Sequence, residues 1–271
     1  MTESLNAAPP QGARDAATAP QMILATDLDG TFLGGSDAER AHLYDWIRAM
    51  GPSVGLIFVT GRDPAFIAGL CAGGVPAPSH VIGDVGTTIA RFEGGQVRPI
   101  PALEAEIAAR WGDRNAEIRA LLADVPGLRE QQTPFRYRLS YHYEAGIFRP
   151  EDMGPVRALG YDVLISHGCF VDVLPPGVSK GPSLLRLIDH LSLPAERVLV
   201  AGDTLNDLSM FQTGLHGAVV GGAEAELLAA TADLPRAHQC AAPGAAGIIE
   251  AIHAFNLHPT PPSLMSEART G

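Results

Sequence analysis

A chain of 271 residues, 46% of them hydrophobic, can bury a large core and suits one large domain or a core with a smaller companion. Its formal net charge of −11, with only 19 Lys and Arg, disfavours nucleic acid or an anionic membrane as partner, because a polyanion needs clustered cations. An anionic small substrate stays open if a metal and one or two cations reverse the local field.

Residues 1–20 have neither a basic start nor an apolar stretch, so they read as a disordered tail and not as a signal peptide. No apolar run approaches the roughly 20 residues needed to span a bilayer, and a soluble, cytoplasmic protein is expected. Cys71, Cys169 and Cys240 are widely spaced and form no CxxC, which points to a reducing compartment; Cys169, in an apolar run, reads as a small core residue.

Ile23, Leu24 and Ala25 form a short apolar run that ends in Asp27, Leu28, Asp29, Gly30 and Thr31, the pattern of a buried parallel strand with acids at its carboxyl end. Two carboxylates so close call for a cation between them. A calcium loop counted from Asp27 would need Gly and Glu where the chain has Phe32 and Ala38, whereas a plain acidic turn fits the same stretch. Ser36 caps a predicted helix to about Met50, ended by Gly51 and Pro52. A second strand over 54–59 ends in Thr60, Gly61, Arg62 and Asp63, and Pro64 starts a helix to about Leu70. A third strand begins at His80, and residues 87–100 read as a hairpin about Gly94 and Gly95.

From about Pro101 the texture changes. Two helices broken near Gly112 and Asp113 precede an alternating strand over 135–145, a helix near 153–159 and two further strands. This predicts an inserted α+β unit over residues 101–172, within a core formed by 21–100 and 173–256. Alternation then returns: an amphipathic helix begins at Lys180, the strand RVLVAGD ends in Asp203, and Asn206 and Asp207 open a short helix. A strand and two helices follow, to about Phe255, with a second disordered tail over 257–271. No oligomeric interface is legible.

Carboxyl ends of parallel strands cluster in space, so Asp203 could join Asp27 on one Mg²⁺. Lys180 at a helix start, and Thr60 with the unhindered N–H of Gly61, suit an anion such as phosphate. Taken singly, each has a plain alternative: a helix opening for Asn206 and Asp207, a solvated surface Lys, a Thr-Gly turn.

In order and strand context, Asp27-Leu-Asp29-Gly-Thr31, Thr60-Gly-Arg62, Lys180 and Gly202-Asp203-Thr-Leu-Asn206-Asp207 resemble the four motifs of the haloacid dehalogenase superfamily of phosphohydrolases, over roughly residues 22–255. The insertion after the GDVGTTIA strand resembles the C2 cap subclass. Val85-Gly86-Thr87, the strand with Leu139-Ser140-Tyr141-His142, and VDVLPPGVSKG resemble its sucrose-phosphate phosphatase branch, in which Lys is frequent where this chain has Arg138.

The resemblance implies an α/β, Rossmann-like parallel-sheet core with a C2-type cap, and an Mg²⁺-dependent phosphatase acting on a sugar phosphate monoester. It makes Asp27 the nucleophile, Asp29 the acid and base, and Thr60, Gly61, Lys180 and Asn206 the phosphate-binding residues. Asp27, the Asp29 carbonyl, Asp203 and Asp207 are the implied metal ligands. On the alternating strand Arg138, Ser140 and His142 share a face and are the candidates for the sugar. Esters of mannosyl or glucosyl compounds with glycerate or fructose fit the same motifs, as does a phosphomannomutase-like transferase. A non-catalytic sugar-phosphate sensor has no use for Asp29.

Overall fold

The computed structural model describes residues 19–132, 136–166 and 168–264. The expected amino-terminal tail lies outside them except for residues 19 and 20, as does the carboxy-terminal one beyond 264.

Strand β1 (Met22–Thr26) is buried at every position, as its apolar run requires. Helix α1 (Asp37–Met50) opens with a capping box, in which the Ser36 hydroxyl accepts from the Glu39 N–H and the Glu39 carboxylate from the Ser36 N–H. β2 (Val54–Val59), α2 (Pro64–Ala72) and β3 (His80–Gly83) follow, with Asp63 accepting from the first N–H groups of α2. The predicted hairpin forms as β4 (Thr88–Glu93) and β5 (Gln96–Pro99).

Next come α3 (Pro101–Trp111) and α4 (Asn115–Leu122), separated where Gly112 and Asp113 take positive φ. β6 (Leu128–Glu130), β7 (Leu139–Tyr143), α5 (Gly154–Ala158), β8 (Asp162–Ser166) and β9 (Phe170–Leu174) complete this part. The remainder is α6 (Lys180–His190), β10 (Val198–Gly202), α7 (Leu208–Phe211), β11 (His216–Gly221), α8 (Ala225–Thr231), β12 (Ala237–Pro243) and α9 (Gly244–Ala254).

Eight strands form one sheet in the order β12-β11-β10-β1-β2-β3-β4-β5, parallel from β12 to β3 and antiparallel beyond. The chain runs outward from β1 through β2 and β3, then returns on the other side of β1 as β10. The order therefore reverses beside β1, and a crevice opens at the carboxyl ends there. Alternate residues of β1 feed opposite cores: Met22 and Leu24 pack with α1 and α9, Ile23 and Ala25 with α3 and α6.

The other four strands form an antiparallel sheet, β6-β7-β9-β8, whose own core holds Trp111, Ile118, Leu139, Tyr141, Met153, Val171 and Val173. This sheet extends to Leu174, so the boundary expected at 172 falls inside β9. Helix α3 begins at the boundary expected at 101 but serves both parts, since Leu103 and Ile107 join the large core and Trp111 the small one.

Other expectations need correction. β7 begins at Leu139, so among the described residues the long alternating run narrows to a five-residue strand. β6 and β12 carry no predicted strand, because three residues are too few for a period and the polar AHQCAAP lacks an apolar face. Parallel pairing to β11 makes the latter a strand. Residues 257–264 are no free tail: Trp46 Nε1 donates to the Thr260 carbonyl at 2.8 Å, and buried His258 meets the Trp46 ring edge-on at 5.3 Å. Cys169 is half-buried, outside the cores, and all three cysteines are free.

Candidate active site

The carboxyl ends of three neighbouring strands deliver the site. Asp27 directly follows β1, Thr60 follows β2 and Asp203 follows β10, so residues far apart in sequence meet because their strands are paired in register. Thr26 lies beside Ala201 on one side and Phe58 on the other. After Asp27 the chain turns sharply, with Gly30 at φ +81°. A Cβ there would lie 2.2 Å from Asp203 Oδ2, so glycine is required both by the turn and by the approach of that carboxylate. Thr31 Oγ1 donates to Asp203 Oδ1 at 2.7 Å.

Lys180, fully buried at the start of α6, is the hub. Its ammonium donates to Asp27 Oδ1 at 2.6 Å, Asp207 Oδ1 at 2.6 Å and Asn206 Oδ1 at 2.9 Å. Burial opposes the charge, yet Asp207 and Asp27 outweigh it and raise the Lys180 pKa. For Asp27 burial is the largest influence; with Asp207 and Asp203 it overcomes the pull of Lys180 and pushes the carboxyl up to about 8. Asp207 also accepts, through Oδ2, the N–H groups of Asp203 and Thr204 at 3.1 Å each, so both its oxygens are engaged. It shapes the loop after β10 as well as facing Lys180.

Ligand oxygens of Asp27, Asp203 and Asp207 lie within 4.8 Å of one another. An all-oxygen donor set of three carboxylates facing one ammonium leaves an excess of negative charge that suits a hard divalent cation, and the residues present fit Mg²⁺.

Asp29 stands apart from this buried cluster. Its side chain is 52% exposed and receives a bidentate pair from Arg62, Nε to Oδ2 at 2.8 Å and Nη2 to Oδ1 at 3.0 Å. The hydrogen bond that Arg62 donates to Asp29 raises the Arg62 pKa further, and the guanidinium lies over the Phe66 ring at 4.6 Å. Thr60 is buried and its hydroxyl accepts the Arg62 N–H at 3.1 Å.

Above these groups is a cavity of about 440 Å³, bounded below by Asp27, Asp29, Gly61 and Asn206 and above by Gln131, Arg138, Ser166, Phe170 and Asp172 of the small sheet and its loops. Arg138 reaches across it. Its guanidinium lies 3.4 Å from Asp172 and 3.7 Å from Asp84 of the β3–β4 loop, and it donates to the Gly61 carbonyl at 3.3 Å. Burial lowers the Arg138 pKa against the pull of Asp172 and Asp84, and raises that of Asp84 against Arg138. The loop is unusual: Asp84, Val85 and Gly86 all take positive φ, which for branched Val85 is a strained conformation.

Of the candidates for the sugar, only Arg138 lines the cavity. Ser140 sits behind it and donates to Asp172, while His142 lies beside Phe170 with ring centroids 5.3 Å apart and reaches no cavity wall. Reasoning from sequence passed over Asp172 and Phe170, which alternation along β9 would have placed on the same side, and Arg62, noted only as part of a motif.

The doubly wound sheet, the acids at its carboxyl edge and the inserted α+β cap are those of the haloacid dehalogenase-type fold. A haloacid dehalogenase-like hydrolase from Bacillus subtilis shares this fold at a TM-score of 0.64 and 18% identity, over 89% of this chain and 94% of that one. The chain belongs to the sucrose-6F-phosphate phosphohydrolase family, whose model matches residues 20–256. The sucrose-phosphatase of Synechocystis sp. PCC6803, solved with sucrose and phosphate, superposes with a TM-score of 0.78 at 26% identity, covering 88% of this chain and 98% of that one.

Among curated relatives, the glucosylglycerol-phosphate synthase of Pseudomonas anguilliseptica is 40% identical over 236 residues, which is 86% of this chain and 31% of the synthase. The mannosylfructose-phosphate phosphatase of Agrobacterium fabrum is 28% identical over 251 residues, 89% of this chain and 99% of the phosphatase. The chain thus spans about a third of the first and nearly all of the second. Among the described residues no helix is long and apolar enough to cross a membrane.

Proposed function

We propose that this chain is an Mg²⁺-dependent phosphatase that hydrolyses the phosphate monoester of a glycosylated small acceptor. The observation that carries the reading is the pairing of Asp27 with buried Lys180 at the floor of a cavity whose other wall is the cap. In this reading an Asp27 carboxylate oxygen attacks phosphorus in line and the ester oxygen leaves, giving an aspartyl phosphate; water then attacks phosphorus and releases inorganic phosphate. Asp29, exposed to the cavity and held by Arg62, gives its proton to the departing oxygen and takes one from the attacking water. Lys180, Asn206, the Thr60 hydroxyl and the Gly61 N–H hold the phosphoryl oxygens, where charge accumulates in the transition state.

Asp27, the Asp29 carbonyl and Asp203 would hold Mg²⁺, with Asp207 beside or behind them; when bound, the ion neutralises the phosphate and fixes its orientation. The relatives point to the substrate class: glucosylglycerol phosphate, mannosylfructose phosphate and sucrose phosphate, which their names carry, are all phosphorylated glycosides or disaccharides. Three free cysteines suit the reducing cytoplasm.

Asp27→Asn tests the chemistry. Phosphate release from these esters should fall by roughly three or more powers of ten, as for removal of a covalent nucleophile, with the fold intact by circular dichroism. Undiminished turnover would sink the mechanism. Transfer of the phosphoryl group to a second sugar hydroxyl, in place of its release as inorganic phosphate, would favour the phosphomannomutase-like reading.

A further inference from the structure

We propose that the cap wall selects an uncharged acceptor moiety and rejects glycosides whose acceptor carries a carboxylate. This rests on the phosphatase reading and adds the substrate class. Recognition of an anion beyond the phosphate needs a cation with spare bonding capacity, and among the described residues those lining the cavity are Arg62 and Arg138. Arg62 gives Nε and Nη2 to the two oxygens of Asp29, and the lining as a whole sets four carboxylates, Asp27, Asp29, Asp63 and Asp172, against these two guanidiniums. Arg138, only 5% exposed, is enclosed by two carboxylates, Asp172 and Asp84, and by the Gly61 carbonyl. Lys180 is fully buried and committed to Asp27, Asp207 and Asn206 at the phosphate end.

What the wall does offer suits hydroxyl groups. Asp172 lines the cavity with Oδ1 fixed by Ser140 and Arg138, so its position is set before substrate arrives. Gln131 and Ser166 add neutral donors and acceptors, and Phe170 an apolar face. A glycerol or fructosyl hydroxyl can donate to such a carboxylate. A substrate carboxylate in the same place meets Asp172 and, nearby, Asp63, in a lining where carboxylates outnumber guanidiniums. Taking Arg138 away from its partners would leave Asp84 and Asp172 as buried, uncompensated charges.

Glucosylglycerol 3-phosphate and glucosyl 3-phosphoglycerate, the sugar on the acceptor's second carbon in each, differ only by CH₂OH against COO⁻ and make the decisive pair. With the full chain and Mg²⁺, kcat/KM for phosphate release should favour the neutral ester by about 100-fold or more, the scale of a like-charge contact without a counterion. The glycerate ester should also be a correspondingly poor competitive inhibitor. Asp172→Asn releases one of the two carboxylates around Arg138 and should shrink that preference by about tenfold. Equal rates on the two esters, or a preference for the glycerate, overturn the proposal and leave the phosphatase reading standing. An unchanged ratio in folded Asp172→Asn overturns the role given to the Arg138–Asp172 pair. No phosphate from either ester or from p-nitrophenyl phosphate removes the phosphatase reading, and this proposal with it.

Discussion

Lys180 and Gly30 show how single residues hold the site together. The Lys180 ammonium is the sole cation bonded to Asp27 and Asp207 among the described ion pairs, and both carboxylates are buried with it. Lys180→Met should therefore cost about 3–5 kcal/mol in urea unfolding, the usual penalty for stranding buried charges. Added Mg²⁺ should return part of that stability if the cation binds the freed carboxylates. At Gly30 the conflict is steric: Gly30→Ala drives a Cβ into the Asp203 carboxylate and strains a positive φ. It should lower the melting temperature and reduce Mg²⁺-dependent phosphate release by at least about 100-fold, since the displaced group is a proposed metal ligand. Both residues were legible as motif members. Their mutual geometry was not, because nothing in a one-dimensional pattern says that Asp203 passes within reach of Gly30.

At the scale of elements, β12 and α9 depend on one carboxylate. Glu250 on α9 accepts the N–H groups of Ala241 and Ala242 at 3.0 Å and meets His238 Nε2 at 2.9 Å, tying the edge strand to the helix beside it. Burial raises the Glu250 pKa, but the Ala242 N–H, His238 and the Ala241 N–H outweigh it and leave the pKa below the ordinary 4.5. A carboxyl depressed in the folded state stabilises the fold above its unfolded pKa, and that contribution is lost as pH falls through 4.5 and on through the lower folded value. Urea midpoints between about pH 6 and pH 3 should accordingly decline less steeply for Glu250→Gln than for the parent chain. The strand in question was missed from sequence because its residues lack both an apolar face and a β-branched run. Its backbone is held by β11 and by Glu250, partners that lie outside the segment. The capping box at Ser36, by contrast, was readable, since all its parts lie within four residues.

For the whole molecule, the excess of carboxylates at the switch point of the sheet predicts a dependence on metal. Chelation with EDTA should abolish phosphate release and added Mg²⁺ restore it, while the melting temperature of the parent chain rises with Mg²⁺ concentration, as for any ligand that binds only the folded state. A melting temperature indifferent to Mg²⁺ would count against the assignment of Asp27, Asp203 and Asp207 to a cation. The two parts of the molecule also share elements. Helix α3 contributes to both cores, and Arg138 ties the small sheet to the β3–β4 loop of the large one.

By itself the sequence determined the parallel core, the inserted unit and the order of the residues along the sheet edge. Apolar strands ended by acids and amphipathic helices are local patterns, each written within about ten consecutive positions. Strand pairing then forced Asp27, Thr60 and Asp203 together, because paired parallel strands end at the same edge. Only the tertiary structure decided which side chains face the cavity from the cap. It placed Arg138 between Asp84 and Asp172 and seated Ser140 behind them, through contacts that span 32 residues or more along the chain, and it left His142 outside. Charge neutralisation across that distance has no sequence pattern, and in this chain it is what decides the character of the cap side of the cavity.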